Sequence, residues 1–214
     1  MKTFALIARR KDLTRAAFRE HYEEVHAPLA IDTLLEGTQR YVRSHLRDVV
    51  FGEPAFDVVT GFWYRDAVAA LEIGKRLASP VGEAILADEL TFMDKPANTF
   101  FAVTEHPVSG SEGAEAAWCG VVLVGAPEGV EAETFLADYE SNEIPKLLDA
   151  TRAPTWCLQN RAVIAGPDAP AYHAITQVHA AGEAGVAQWA AQLAGTGARV
   201  VAATVSEHES TLPW

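Results

Sequence analysis

The sequence is poor in cysteine, in basic residues and in long apolar runs, and each shortage excludes a class of protein. Its 214 residues include two cysteines, both beside apolar residues, a setting typical of buried free thiols rather than a disulfide framework. Seventeen Lys and Arg against 29 Asp and Glu give a formal net charge of −12, which argues against nucleic acid and anionic membranes as partners. No run approaches the ~20 apolar residues that a membrane span needs.

Sequence signatures of metal and cofactor sites are missing as well. The chain has no HxH, HExxH or CxxC motif, no phosphate loop and no dinucleotide fingerprint, so we expect no metal and no other cofactor. The first ten residues are too short and too soon charged for a signal peptide. We therefore expect a cytoplasmic protein whose partner is a small apolar or aromatic metabolite.

One segment near the N-terminus has a clear helical pattern. Thr14 suits an N-cap. Apolar side chains then recur at the spacing of one helical face, at Phe18, Tyr22, Val25 and Leu29. His26 lies on the flank of that face. Pro28 disfavours helical geometry at Ala27, so the helix is expected to kink or to re-form there.

A similar segment occurs later in the chain. Residues 138–147 repeat residues 21–30 with Tyr, Glu and Pro at corresponding places, and Glu143 stands where the first copy has His26. We interpret this as a duplication in which the first copy alone keeps the histidine, and we expect one active pocket.

Extended and helical patterns alternate through the rest of the chain. The predicted strands are 4–8, 40–47, 56–64, 99–106, 120–124, 157–164, 172–179 and 199–208. The predicted helices follow Thr14 and cover 67–78, 131–149 and 186–193, and residues 80–96 are irregular or partly helical. The order corresponds to two βαββαβ units.

We therefore predict an α+β fold of two tandem ferredoxin-like modules, residues 1–108 and 118–214, joined by a Ser- and Gly-rich linker at 109–117. Each four-stranded sheet would carry helices on one face and leave the other bare, and the two bare faces can bury each other. The expected architecture is an intramolecular α+β barrel with its modules packed sheet to sheet. Such a chain is a monomeric pseudo-dimer or forms a homodimer.

The first half also resembles a known family. The motifs that carry the resemblance are Lys11–Arg19, Tyr22, Glu24–Ala30, Phe56–Asp57, Phe62–Tyr64, Asp88–Glu89, Phe92, Asp94 and Glu105–His106. Over residues 3–108 they are similar to the EthD family of the dimeric α+β barrel superfamily, which implies a pocket between the sheet and helices of a module. The second half resembles the superfamily through the repeat. Members and relatives include a muconolactone isomerase, anthraquinone-pathway dehydratases, polyketide cyclases and cofactor-free aromatic monooxygenases, and haem proteins also use the barrel.

Three residues are catalytic candidates, and the resemblance implies roles for the first two. His26 matches the family's motif histidine and is expected to act as a general acid or base. Tyr41 falls where the isomerase branch carries a pocket tyrosine, so it is expected to hold a substrate oxygen. Asp57 begins a strand and could orient His26 or act as a base. The structural alternatives are a helix-face histidine that hydrogen-bonds a local carbonyl, a rim tyrosine and a polar strand-start residue, respectively.

Five further residues are candidates for substrate binding. Arg43 and His45 share the Tyr41 face of their strand by alternation, and Arg43 could bind a carboxylate. Phe62, Trp63 and Phe100 offer aromatic area for a flat apolar ligand, or they belong to the core.

These residues predict a cofactor-independent enzyme that acts on a small cyclic, aromatic or polyketide-type metabolite by proton transfer. The expected reaction types are isomerisation, dehydration and cyclisation. A cofactor-free aromatic monooxygenase and a non-catalytic small-ligand-binding module are the alternatives. Nothing specific in the sequence supports a proximal histidine for haem.

Overall fold

The structure, a computed structural model, describes residues 1–111, 115–152, 154–163 and 170–214. Residues 112–114 of the predicted linker and residue 164 of the predicted strand 157–164 lie outside the described residues. The described residues form eight strands, which are Lys2–Ile7 (β1), Thr38–Phe51 (β2), Val58–Tyr64 (β3), Thr99–Gly110 (β4), Trp118–Gly125 (β5), Trp156–Ala162 (β6), Ala174–Ala180 (β7) and Arg199–Glu209 (β8).

Helices lie between these strands. The α-helices are Arg15–His21 (α1), Ala27–Thr33 (α2), Ala67–Leu77 (α3), Glu83–Phe92 (α4), Ala132–Asp138 (α5), Ile144–Ala150 (α6) and Val186–Ala194 (α7). Two five-residue π-helical turns, Tyr22–His26 and Tyr139–Glu143, join α1 to α2 and α5 to α6. Short 3₁₀ turns cover Pro80–Gly82 and Lys95–Ala97. None of the described helices is long and apolar enough to cross a membrane.

The predicted architecture of two ferredoxin-like modules packed sheet to sheet is wrong. The strands instead form one closed barrel in the order β1-β3-β2-β8-β5-β7-β6-β4. The physical reason lies at the sheet edges, because each open sheet would leave two rows of unpaired backbone N–H and C=O groups. Closing a sheet into a barrel removes those edges. The alternation of side chains along a strand shows which face is apolar but not which strand pairs at each edge.

One compact unit comprises residues 1–45, 55–102 and 207–214. In it β3 pairs antiparallel with β1 and with β2. The Thr14 hydroxyl accepts a hydrogen bond from the Ala17 N–H at 3.1 Å, which confirms the predicted N-cap. Aromatic side chains of the helical segment, including Phe18 and Tyr22, are buried with Phe92 of α4 in the core of this unit. The core therefore lies between the sheet and the helices.

Pro28 is accommodated without a break in the helical segment. Ala27 keeps helical angles, φ −65° and ψ −45°, and its N–H donates to the carbonyl of Tyr22 five residues earlier. Proline has no N–H to continue the i→i+4 ladder. The backbone hydrogen bonds change from i→i+4 to i→i+5 just before Pro28. The change therefore falls where the proline would in any case leave the i→i+4 ladder without a donor. Of the two expected outcomes at Ala27, the structure has the re-formed helix, because α2 begins there directly after the π turn.

The second compact unit comprises residues 46–54 and 103–206. In its described part, β5 pairs antiparallel with β7 and β8, and β6 pairs with β7 and β4. Its helical segment also contains a π turn, ending at Glu143. The Glu143 carboxylate accepts a hydrogen bond from the Trp189 indole N–H at 3.1 Å and pairs with Lys146 at 2.7 Å. These contacts give Glu143 a structural role in this unit.

Candidate functional site

A cavity of about 230 Å³ lies in the first unit. Much of its wall is aliphatic and comes from β1, α3, α4 and the residues that follow α2, with Ile7, Leu34, Leu35, Ile73, Leu77 and Ile85. Its polar groups are the side chains of Tyr22, His26, Tyr41, Tyr64 and Glu89. An apolar enclosure with a few convergent polar groups is typical of a small-molecule site.

His26 is buried in the cavity wall and bound to a carboxylate. Its Nδ1 lies 2.8 Å from Oδ2 of Asp88, on α4. Burial lowers the pKa of His26, and hydrogen bonding to Asp88 offsets part of that effect. The ring is therefore neutral near pH 7. Because Nδ1 donates to the carboxylate, the basic lone pair of the neutral ring is on Nε2.

Two buried phenols lie near the histidine. Tyr41 stacks on Phe62 with ring centroids 5.0 Å apart and an interplanar angle of 16°, and the hydroxyl of Tyr22 lies 3.2 Å from that of Thr60. Burial raises the pKa of both tyrosines, that of Tyr41 well above its ordinary value. Both phenols therefore stay protonated at neutral pH and can donate a hydrogen bond.

Arg43 and His45 bind a glutamate rather than the cavity wall. Arg43 Nη2 lies 2.6 Å and Nε 3.0 Å from the carboxylate oxygens of Glu23, and His45 Nε2 lies 2.6 Å from Oε1. Burial by itself would raise the pKa of Glu23, but the hydrogen bonds from His45 and Arg43 outweigh it and lower the pKa to about 2. This charged cluster ties the π turn to β2.

Asp57 and Trp63 are also engaged elsewhere. Asp57 lies 2.9 Å from Arg15 Nε and 3.3 Å from Arg9 Nε, which ties the start of α1 to the segment that follows β1. The carboxylate that holds His26 is that of Asp88. The ring of Trp63 lies under Lys2 Nζ at 4.1 Å. Of the predicted aromatic binding residues, Phe62 and Phe100 line the cavity, and Phe100 is 66% exposed.

Sequence reasoning missed the partner of His26. Asp88 lies 62 positions after it, in a segment predicted to be irregular or partly helical, and the next residue, Glu89, lines the cavity and pairs with Lys95. The signal was present, because Asp88 and Glu89 are among the motifs that resemble the EthD family. In the described ranges, no group of three or more His, Cys, Asp or Glu side chains has a geometry that could hold a metal ion.

Residues 10–96 match the EthD domain family, which confirms the resemblance for that part of the chain. No protein of curated function matches the chain. The fold and the site thus define a barrel protein with an EthD-type first part, in which a carboxylate-bound histidine borders a small apolar cavity.

Solved structures share the fold at low sequence identity. An anthrone oxidase-like protein aligns with a TM-score of 0.60 and 11% identity, over 100% of this chain and 93% of its own. A provisionally assigned monooxygenase from Lactobacillus acidophilus NCFM aligns with a TM-score of 0.51 and 12% identity, over 99% of this chain and 95% of its own. A provisionally assigned chlorite dismutase aligns with a TM-score of 0.50 and 9% identity, over 96% of this chain and 94% of its own. At these identities the likeness establishes the fold and not the chemistry.

Proposed function

We propose that the protein is a cofactor-independent enzyme that moves a proton to or from a small cyclic or aromatic substrate, with His26 as the acid or base. The observation that carries this proposal is the buried pair of His26 and Asp88 beside an apolar cavity. Such a pair fixes the tautomer of the imidazole and stabilises the imidazolium that forms when the ring takes a proton.

Tyr41 supplies a second element of the proposed chemistry. Removal of a proton next to a carbonyl places negative charge on the carbonyl oxygen, and a fixed donor in a site shielded from water stabilises that charge. The buried phenol of Tyr41, which also interacts with the Tyr22 hydroxyl, would be such a donor. The substrate is then an enolisable ketone or ester whose carbonyl faces Tyr41 and whose acidic carbon faces Nε2 of His26.

The cavity limits the size of the substrate. Its volume of about 230 Å³ is below the roughly 300–1,000 Å³ of sites for drug-sized ligands. A substrate of about one or two fused rings fits that space. The cavity wall is largely aliphatic and aromatic, so it favours an apolar ring over a highly charged metabolite.

Hydrogen–deuterium exchange tests this proposal without knowledge of the natural substrate. The probe is 2-tetralone, a two-ring ketone with acidic methylene hydrogens, incubated under argon in D₂O with and without the protein. The expected result is protein-dependent incorporation of deuterium, measured by mass spectrometry. Binding of the probe without any acceleration of exchange would support a ligand-binding module instead.

A cofactor-free aromatic monooxygenase is the second candidate, favoured by the fold shared with an anthrone oxidase-like protein. Proton removal by His26 would give a substrate carbanion, which reduces O₂. A methylene then becomes a carbonyl, one oxygen atom enters the product, and the other leaves as water with the two methylene hydrogens. The electrons come from the substrate. Oxygen consumption with anthrone in air, lost under argon, would favour this candidate.

Gly74 allows the cavity itself to be tested. It lies within α3 and lines the cavity, and a Cβ added there would meet no heavy atom within 4 Å. We expect Gly74→Leu to fill the cavity and to abolish binding of 2-tetralone, measured by calorimetry. The control, Gly74→Ala, is expected to raise the free energy of unfolding by about 0.5–1 kcal/mol, because glycine weakens a helix interior. Undiminished affinity in Gly74→Leu would contradict the assignment of the site.

A further inference from the structure

Asp88 holds two histidines, one on each carboxylate oxygen. His26 Nδ1 lies 2.8 Å from Oδ2, and His21 Nε2 lies 2.7 Å from Oδ1. The His26 side chain is 7% exposed and that of His21 is 31% exposed, so the first faces the cavity and the second lies toward the surface. We propose that His21 is a positioning residue, which fixes the Asp88 carboxylate and through it the tautomer of His26. This inference rests on the proposed function.

The π turn explains how both histidines reach one carboxylate. In an α-helix of 3.6 residues per turn, side chains five positions apart point in clearly different directions. The i→i+5 bonding of Tyr22–His26 widens the turn, so His26 lies nearly above His21. π turns are rare in proteins, and those that occur are often found at functional sites. Here the turn has a specific consequence, which is the shared binding of Asp88.

Phe92 packs against both of the imidazoles that bind Asp88. Its ring centroid lies 4.6 Å from that of His21 and 5.1 Å from that of His26, and the residue is buried. It therefore packs against both imidazoles one turn after Asp88 on α4. With both oxygens bound and a ring packed beside them, the carboxylate has little freedom to rotate.

Loss of His21 would release one end of this arrangement. Oδ1 of Asp88 would then have to find a water molecule or rotate, and the hydrogen bond to Nδ1 of His26 would weaken. Without that bond, nothing in the pair favours the tautomer that carries its proton on Nδ1. A glutamine at position 21 offers an amide N–H at nearly the reach of Nε2, so it can keep the bond to Asp88.

The test uses full-length protein with ¹⁵N-labelled histidine and requires no substrate. We expect the ¹⁵N shifts of His26 to show a protonated Nδ1 in the wild type and in His21→Gln, and a mixture of tautomers in His21→Ala. If the tautomer in His21→Ala is unchanged while the protein stays folded by circular dichroism, the positioning role is wrong. The same conclusion follows if His21→Gln behaves like His21→Ala.

Exchange kinetics with 2-tetralone separate this inference from the proposed function. His21→Ala is expected to lower kcat about tenfold at nearly constant KM, and His21→Gln to restore it to within about twofold, since a displaced partner of a catalytic group costs this order of rate. If the wild type, His21→Ala and His21→Gln catalyse the exchange equally well, the role of His21 is wrong and that of His26 is unaffected. If the wild type catalyses no exchange but the ¹⁵N shifts show the expected tautomers, the proposed function is wrong. The inference that His21 fixes the tautomer of His26 through Asp88 would then still hold.

Discussion

His26→Ala lowers the rate of deuterium exchange into 2-tetralone by about 10²-fold or more, the range in which general acid–base groups contribute. The imidazole is the group in the cavity wall that is neutral near pH 7 and fixed by a carboxylate. Its removal leaves solvent water as the base, while the cavity that binds the probe keeps its aliphatic wall. The expected change is therefore in kcat rather than in KM.

A second variant and a control make this result specific. Asp88→Asn is expected to lower the rate by about 10–100-fold, because the base remains but its tautomer is no longer fixed. His106→Ala, on β4 in the second unit, is the matched control and should leave exchange unchanged. Urea unfolding of each variant separates loss of catalysis from loss of fold. A folded His26→Ala protein with the wild-type exchange rate would remove His26 from the chemistry.

Glu23→Gln destabilises the fold by about 3 kcal/mol, because it leaves a buried guanidinium without its anion. The side chains of Arg43 and Glu23 are 4% and 15% exposed. The chain supplies a matched control in its second unit, where Glu140 pairs with Arg161 at side-chain exposures of 28% and 26%. This pair is more exposed than that of Arg43 and Glu23, so Glu140→Gln should cost less than Glu23→Gln, nearer the roughly 0–1 kcal/mol that is typical of exposed pairs. If Glu23→Gln and Glu140→Gln lower the free energy of unfolding equally, as measured with urea at pH 7, then burial of the ion pair does not determine how much each substitution costs.

The same pair predicts how stability depends on pH. The pKa of Glu23 falls from an ordinary value of 4.5 to about 2 in the folded protein. A carboxylate with a lowered folded pKa stabilises the protein above its unfolded pKa, and that contribution is lost as the pH falls toward the folded value. The difference in unfolding free energy between wild type and Glu23→Gln should therefore have its largest value near pH 6 and decrease between about pH 4.5 and pH 2. A difference that stays constant down to pH 2 would contradict the assignment.

Local structure followed closely from the sequence where one pattern dominated. The N-cap at Thr14 was predictable from residue type, and the predicted strand 120–124 lies within β5. Helix α4 was not recognised as a full helix, for two reasons. Its N-cap, Gly82, has no side chain to cap the helix, and its apolar residues are spread around the helix instead of forming one face. Because α4 carries Asp88, the partner of His26 was missed with it.

The sequence by itself determined the candidates, namely a histidine on a helical flank before Pro28, a tyrosine on a strand and an EthD-like order of motifs. The tertiary structure decided their partners, since it gave His26 to Asp88, placed Arg43 and His45 on Glu23, and joined the strand edges into a closed barrel. Side-chain periodicity fixes which face of an element is buried. It carries no information on which of several distant carboxylates or strand edges will meet that face, because such pairings depend on how the whole chain closes.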